Sequence, residues 1–311
     1  MVRLRGFNLV LFLILIVQIR YSSSKKASLR DILKDFHDTL PKNNNNIIEQ
    51  KLRNDGKIND DIYLNITQLI TKYKYSVEVY EVITPDGYVI KLFRIPGNGA
   101  VVFLMHGLLS SADEWISGGV ESGLAYLLAQ LGYDVWMALG VVEIFQDSRT
   151  LRGLQRTFCG DMVWAFTICQ HLIFIIGGFN YNQTNYEQLP VIYNHFPSGS
   201  SFKQIQHFAQ LALSGDFRQF DYELKNFKKY GSLAPPSYPV EKITAPVAIF
   251  YGEGDWLCDI SDVKILKSRL PNLVDIYRVD DDHFTHFDFV HAADTKNVLL
   301  ANIIRLIKKI H

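Results

Sequence analysis

The sequence predicts an α/β domain whose mostly parallel sheet is interrupted by a helical insert. Three observations carry that expectation. A continuous apolar run at residues 101–105 is followed by helical spacing at 121–131 and a second short apolar run at 134–138. The same alternation of strand and helix returns over residues 246–309. Between the two lies a stretch with helical periodicity, punctuated by Pro190, Pro197, Pro235, Pro236 and Pro239.

At the N-terminus, Arg3 and Arg5 precede an apolar run, residues 7–17, and Ser22, Ser23 and Ser24 follow it. A charged start, a short apolar core and a small-residue exit read as a secretory signal peptide, residues 1–24. The run is short for a bilayer span. No later run is long enough either, because Gln170 and His171 break the one that ends at Ile176. No transmembrane segment is therefore expected after signal removal. Residues 25–61 are polar, with asparagines at 43–46, and read as a leader or pro-segment.

The folded part is expected in three blocks. Residues 62–140 form the first half of the core. They open with a hairpin in which residues 75–82 alternate, Pro85-Asp86-Gly87 turns, and residues 88–95 return. The unbroken apolar character of 101–105 marks a strand buried on both faces. Residues 141–240 form a helical cap or lid, with apolar helix over 161–176 and an amphipathic helix over 202–213. Residues 241–311 form the second half: strand 246–251, helix 260–268, strand 273–279 and a last helix, 297–309.

With 48% hydrophobic and 21% charged residues over 311 positions, the chain has the composition of one large domain or a core with an inserted cap. Lysine and arginine (32) balance aspartate and glutamate (32), so nothing points to a nucleic-acid partner. Asn65-Ile-Thr67 and Asn182-Gln-Thr184 are glycosylation acceptors of the kind used in the secretory pathway. Of three cysteines, Cys159 and Cys169 lie close enough in sequence to bridge in an oxidising compartment, two free thiols being the alternative. Cys258 is left over. The nine histidines show no metal-binding spacing, so no metal is expected.

Ordered motifs then accumulate from about Leu64 onward. They are Tyr75-Ser-Val-Glu78, Pro85-Asp-Gly-Tyr88, His106-Gly-Leu-Leu109 with Trp115, Gly132-Tyr-Asp-Val-Trp136, Pro197-Ser-Gly-Ser-Ser201, Gly252-Glu-Gly-Asp-Trp256 and His286-Phe-Asp-Phe289. In these the chain resembles the acid lipase family of α/β hydrolases, the gastric and lysosomal lipases and their insect relatives. The resemblance implies an α/β-hydrolase fold with a helical cap, Ser-His-Asp hydrolysis of lipid esters (acylglycerols or sterol esters) and no organic cofactor. It also implies a secreted or lysosomal location, and the apolar stretch 162–179 of the cap becomes a surface for lipid contact.

Serine-esterase chemistry needs a hydroxyl activated by a histidine, a carboxylate that holds the histidine, and backbone donors aimed at the developing oxyanion. The resemblance assigns the carboxylate to Asp255, just after an apolar strand, with Asp259 and Asp262 reading as cap and first turn of the next helix. It assigns the base to His286, not to His283 beside Asp280-Asp-Asp282, and one oxyanion donor to the backbone N–H of Leu108. The nucleophile is missing. No G-x-S-x-G occurs in the 311 residues. Ser110 and Ser111 lack the strand-to-helix elbow that exposes a nucleophile, and Gly119-Val-Glu-Ser-Gly123 carries its serine one position late.

Residues 135–140 pass directly to Val141, where the resemblance calls for an Asn-x-x-Gly-Asn loop, a helix and the nucleophile strand. The sequence therefore reads as a deletion of central sheet strands. Such a loss leaves two open strand edges, at 101–105 and 247–251, which would have to pair with each other to restore one sheet. Three readings of the activity stay open. They are an esterase using another serine, a non-catalytic relative that binds lipid or a partner, and a lipase chain deprived of one coding segment. An in-frame exon encoding G-x-S-x-G between the codons for Gly140 and Val141 is the outcome expected of the last, and genomic sequencing checks it.

Overall fold

The computed structural model describes residues 59–84, 88–139, 176–178 and 180–310. The signal peptide, nearly all of the polar leader, Cys159, Cys169 and most of the apolar stretch 162–179 lie outside the described residues.

A single 3-10 turn, Asp60–Tyr63, leads into α1, Ile66–Lys72. Asn65 caps α1 in a reciprocal capping box with Gln68, which satisfies the otherwise orphaned first donors. Asp61 is buried, and Lys72 and Tyr73 both bond to its carboxylate, so the start of the fold is tied to the end of its first helix.

The expected hairpin is present as β1, Glu78–Ile83, and β2, Val89–Ile95, paired antiparallel from Glu78 opposite Arg94 to Ile83 opposite Val89. Next come β3, Val101–Leu104, then α2, Leu124–Gln130, and β4, Asp134–Leu139. The sheet order is β1-β2-β4-β3, with β3 and β4 parallel. Arg94 stitches three of these strands. Its guanidinium grips Asp134 on β4 at 2.8 and 2.9 Å and reaches Glu78 on β1 at 2.8 Å. Such a forked, charge-assisted contact fixes position as well as adding energy.

Helix α2 is shorter than its periodicity predicts. Gly123 caps it, and a tight turn at Gly119 occupies the preceding residues, where the Gly123 N–H bonds to the Gly119 carbonyl at 2.7 Å. β3 also departs from expectation. Val102 and Leu104 are buried while Val101 and Phe103 are only half-buried. Among the described residues β3 is an edge strand with β4 as its one partner, so one face and one edge lack the cover that an unbroken apolar run predicts.

In the cap region, α3 spans Leu189–His195 and α4 spans Phe202–Ser214. A Ser201–Gln204 capping box opens α4, and Gly215 closes it in the left-handed conformation (φ 69°). A short α5, Asn226–Tyr230, follows. The second half contains β5, Val247–Tyr251, then α6, Ile260–Arg269, β6, Leu273–Arg278, α7, Asp288–His291, and a wide turn, Lys296–Leu300, running into α8, Ala301–Ile310.

β5 and β6 pair in parallel as a separate two-stranded sheet. The edge-to-edge closure of β3 on β5 is not made among the described residues. The halves are joined through side chains instead. One core contains Ile70, Phe93, Val135 and Met137 from the first half, together with Val279, Phe284, Phe289, Leu299 and Ile303 from the second. Trp115 and Tyr126 are fully buried in it, and the Tyr126 ring packs on Tyr73 and Tyr75 at centroid distances of 5.6 and 5.3 Å. Burial of large rings of this kind dominates a core's energetics.

The two sheets should therefore differ in stability. Every residue of β5 and β6 is only half-buried, whereas β4 has four fully buried residues of six. Amide hydrogen exchange is expected to be slower at Val135 and Met137 than at Ile249 and Ile276, because the β5–β6 pair opens at lower free energy. Equal protection across both sheets, measured by mass spectrometry or NMR, contradicts this.

Candidate active site

The acid loop leaves the end of β5 as Gly252-Glu-Gly-Asp255, and the base loop leaves β6 and reaches His286. These loops pack backbone against backbone. A Cβ on Gly252 would lie 2.3 Å from the Phe284 carbonyl oxygen, and one on Gly254 would lie 2.6 Å from the His283 carbonyl. Neither clash can be relieved by rotating a side chain, so the spacing of the two glycines before Asp255 has a steric cause. Phe284 is fully buried and meets the Phe289 ring edge-on at 4.9 Å, which anchors the base loop from below.

Asp255 and His286 meet as a result. His286 Nδ1 donates to Asp255 Oδ2 at 3.0 Å, with side-chain exposures of 12% and 3%. The other carboxylate oxygen, Oδ1, accepts from the backbone N–H groups of Leu257 and Cys258 at 2.8 and 2.9 Å. Among the described residues, the carboxylate's hydrogen bonds are thus to its own loop and to the histidine. With Nδ1 committed as donor, the neutral ring presents Nε2 as the acceptor, the arrangement a general base requires. His283 stands apart from this pair, its backbone N–H bonding to Asp281. Asp259 caps α6, and Asp262 lies in its first turn.

Cys258 is half-buried beside the acid. Burial, then the charges of Asp255, Asp262 and Asp259, push its thiol up to about 12. A thiol shifted in this direction is less readily ionised to the nucleophilic thiolate.

The oxyanion turn follows β3. Leu109 takes a positive φ of 59°, uncommon for a residue with a side chain. Ser198, between α3 and α4, holds this turn. The Ser198 N–H donates to the Leu109 carbonyl at 2.7 Å, and Ser198 Oγ lies 3.0 Å from Ser111 Oγ. Asp113 accepts from Ser111 Oγ at 3.1 Å and sits 3.3 Å from His195 Nδ1. Burial lowers the His106 pKa, against the Gly107 carbonyl and Asp113, which favour the charged ring. Among the described residues no hydrogen bond joins Leu108 to Asp255 or His286, and no serine hydroxyl bonds to His286. The structure brings Asp255 and His286 together and leaves the turn at Leu108 and Leu109 as a separate, braced element. Ser110 and Ser111 are both buried, Ser110 bonding to Glu114.

Sequence reasoning passed over Glu114. The residue is partly exposed, but its carboxyl faces the buried Ser110 hydroxyl, and burial pushes its pKa up to about 8. No local pattern signals this, since Glu114 sits in an ordinary polar turn, Ala112–Trp115. The sign of its effect follows from the raised value. Between about 4.5 and about 8 the folded state binds more protons at this group than the unfolded chain, so its contribution to stability falls as pH rises through that window. Glu114→Gln is expected to flatten that part of the decline and to raise the melting temperature at pH 8 more than at pH 5. Equal shifts at both pH values, measured by thermal denaturation, rule this out.

Comparison with known proteins agrees with this architecture. Residues 66–119 match the family described as the partial alpha/beta-hydrolase lipase region. Lipase 3 of Drosophila melanogaster is 28% identical, covering 74% of this chain and 89% of its own length. Gastric triacylglycerol lipase of Homo sapiens is 26% identical, covering 80% of this chain and 92% of its own length. The first alignment runs to 352 positions, longer than this 311-residue chain, so residues of the relative face none here. Likeness to solved structures is low, as with an esterase of Pyrococcus furiosus at 14% identity over 78% of this chain and 92% of that chain, with a TM-score of 0.36. Taken with the ordered motifs, these relatives show that the chain is similar to the acid lipases of the α/β-hydrolase family, and its described residues form a partial version of that fold.

Proposed function

We propose that this chain carries the acid–base half of a lipid ester hydrolase, and that without a nucleophile it does not turn over in its present form. Asp255 holds His286 in the tautomer that leaves Nε2 free and stabilises the imidazolium that would form on proton uptake. The Leu108 N–H is one oxyanion donor. The second, from the residue after the nucleophile, is missing with the elbow. The observation that carries this reading is the buried 3.0 Å contact between His286 Nδ1 and Asp255 Oδ2. The substrate class, carboxylic esters of lipids, is taken from the lipase relatives.

A non-catalytic, lipid-binding role is the second reading, and one observation favours it. An apolar cleft of about 100 Å³ runs along β5, lined by Ile249, Val263, Leu266 and Phe289, and reaches Asp255. In the cap, Leu224, Phe227 and Leu233 are exposed near Lys225, Lys228 and Lys229, a composition suited to a lipid surface. No helix among the described residues is long and apolar enough to cross a membrane. A secretory-pathway location, extracellular or lysosomal, fits the exposed acceptors Asn65 and Asn182. A glycan on the Asn65 amide nitrogen leaves its Oδ1 free to cap α1.

A fluorophosphonate probe tests the central claim. The purified full chain is expected to take up no label and to hydrolyse p-nitrophenyl butyrate at the rate of buffer. Covalent labelling that His286→Ala abolishes shows a working nucleophile and overturns the proposal.

A further inference from the structure

Residues 176–178 and Asn180, ahead of α3, touch both loops of the acid–base pair. The Gly177 carbonyl accepts from the backbone N–H groups of His286 at 3.2 Å and of Trp256 at 3.4 Å, so one oxygen spans the acid loop and the base loop. Gly178 (φ 109°) passes so close to Gly254 that a Cβ there would lie 2.1 Å from its carbonyl oxygen. Asn180 follows and is 3% exposed. Its side-chain Nδ2 donates to Asp281 Oδ2 at 3.0 Å and to Asp288 Oδ2 at 3.0 Å. The same Asp288 oxygen accepts the Thr285 N–H at 2.7 Å. Asp281 Oδ1 accepts the His283 N–H at 2.9 Å. Asp281 and Asp288 therefore clamp the loop on either side of His286, and a single amide joins the two clamps.

We propose that Asn180 is the positioning residue for His286: by bridging Asp281 and Asp288 from outside both loops, it fixes the base loop so that the imidazole faces Asp255. This rests on the acid–base pairing of the proposed function and names the group outside both loops that maintains it.

The chemistry of an amide suits this place. Its two N–H donors satisfy two carboxylates at once, whereas a cation would bring a desolvation cost of its own. Without the amide, two carboxylates would lie close together in a poorly hydrated pocket and push the loop apart. Burial already pushes Asp288 up to about 6, with Asp281 adding to the effect and the bonds from Thr285 and Asn180 opposing it. The effect reaches His286 through the backbone, because Thr285 and the imidazole-bearing residue are adjacent and both of their N–H groups are held.

The test uses the full chain with 15N-labelled histidine. The His286 Nδ1–H, bonded to Asp255, is expected to give a protected, downfield imidazole resonance, assigned by its absence in His286→Ala. Asn180→Ala should abolish that resonance. Asn180→Ser, which keeps one donor and fills less space, should weaken it and supplies the measurement if the alanine variant does not fold. Asp288→Asn keeps an oxygen for both donors and should leave the resonance in place. Ser122→Ala removes a different buried bond, the 2.8 Å contact with the Ala293 carbonyl, and serves as the control for general destabilisation. A resonance unchanged in a folded Asn180 variant overturns the positioning role while leaving the acid–base pair standing. Absence of the resonance in the unaltered chain overturns the pairing itself, and the positioning role with it.

Discussion

The close contact between the acid loop and the base loop is the constraint on which the site depends. Gly252 and Gly254 have no side chains, so the backbone at residues 283–284 can lie directly against them. That contact sets the reach from Asp255 to His286 before either side chain chooses a rotamer. The carboxylate is then held by two backbone N–H groups of its own loop, and the remaining oxygen has one direction in which to accept. A pair held this way needs no reorganisation to support a charged imidazole, which is how preorganised sites lower a barrier. The pair forms although no serine hydroxyl among the described residues bonds to His286, because its supports come from the loops after β5 and β6 and from Gly177 and Asn180.

The two described sheets are held together on a similar principle. Hydrogen-bond ladders do not connect β3 to β5 among the described residues, so continuity between the halves comes from burial. Side chains from the segment after β6 and from the C-terminal helix enter the same core as Phe93, Val135 and Met137. Hydrophobic burial is non-directional and scales with area, so it joins the two described sheets where no ladder does. Its limit shows in β5 and β6, where no residue is fully buried and an apolar cleft lies along the strand.

Much of this was legible in the residues themselves. The hairpin, the Ser201–Gln204 box before α4, the Asp259 cap of α6 and the placement of Asp255 after an apolar strand all depend on local rules. Local rules misjudged β3, because an apolar run reports what a strand was built to face and not whether the neighbour is present. They also overextended α2, where the turn at Gly119 and Gly123 outweighs side-chain periodicity. Asn180 and Glu114 could not be found at all. Asn180 acts on Asp281 and Asp288 from about a hundred residues away, and Glu114 is unusual only for what its carboxyl is buried against.

The sequence by itself carried the likeness to the lipases, the order of strands and helices, Asp255 and His286 as candidates for acid and base, and the absence of a G-x-S-x-G motif. These are properties of residue type and spacing, which act over a few positions along the chain. The tertiary structure alone decided that Asp255 and His286 meet, that the described strands form two separate sheets, and that Ser198 and Asn180 brace the turn at Leu109 and the loop of His286. Each of those depends on which distant backbones approach closely enough to exclude a Cβ or share a proton, and such distances exist only once the chain is folded.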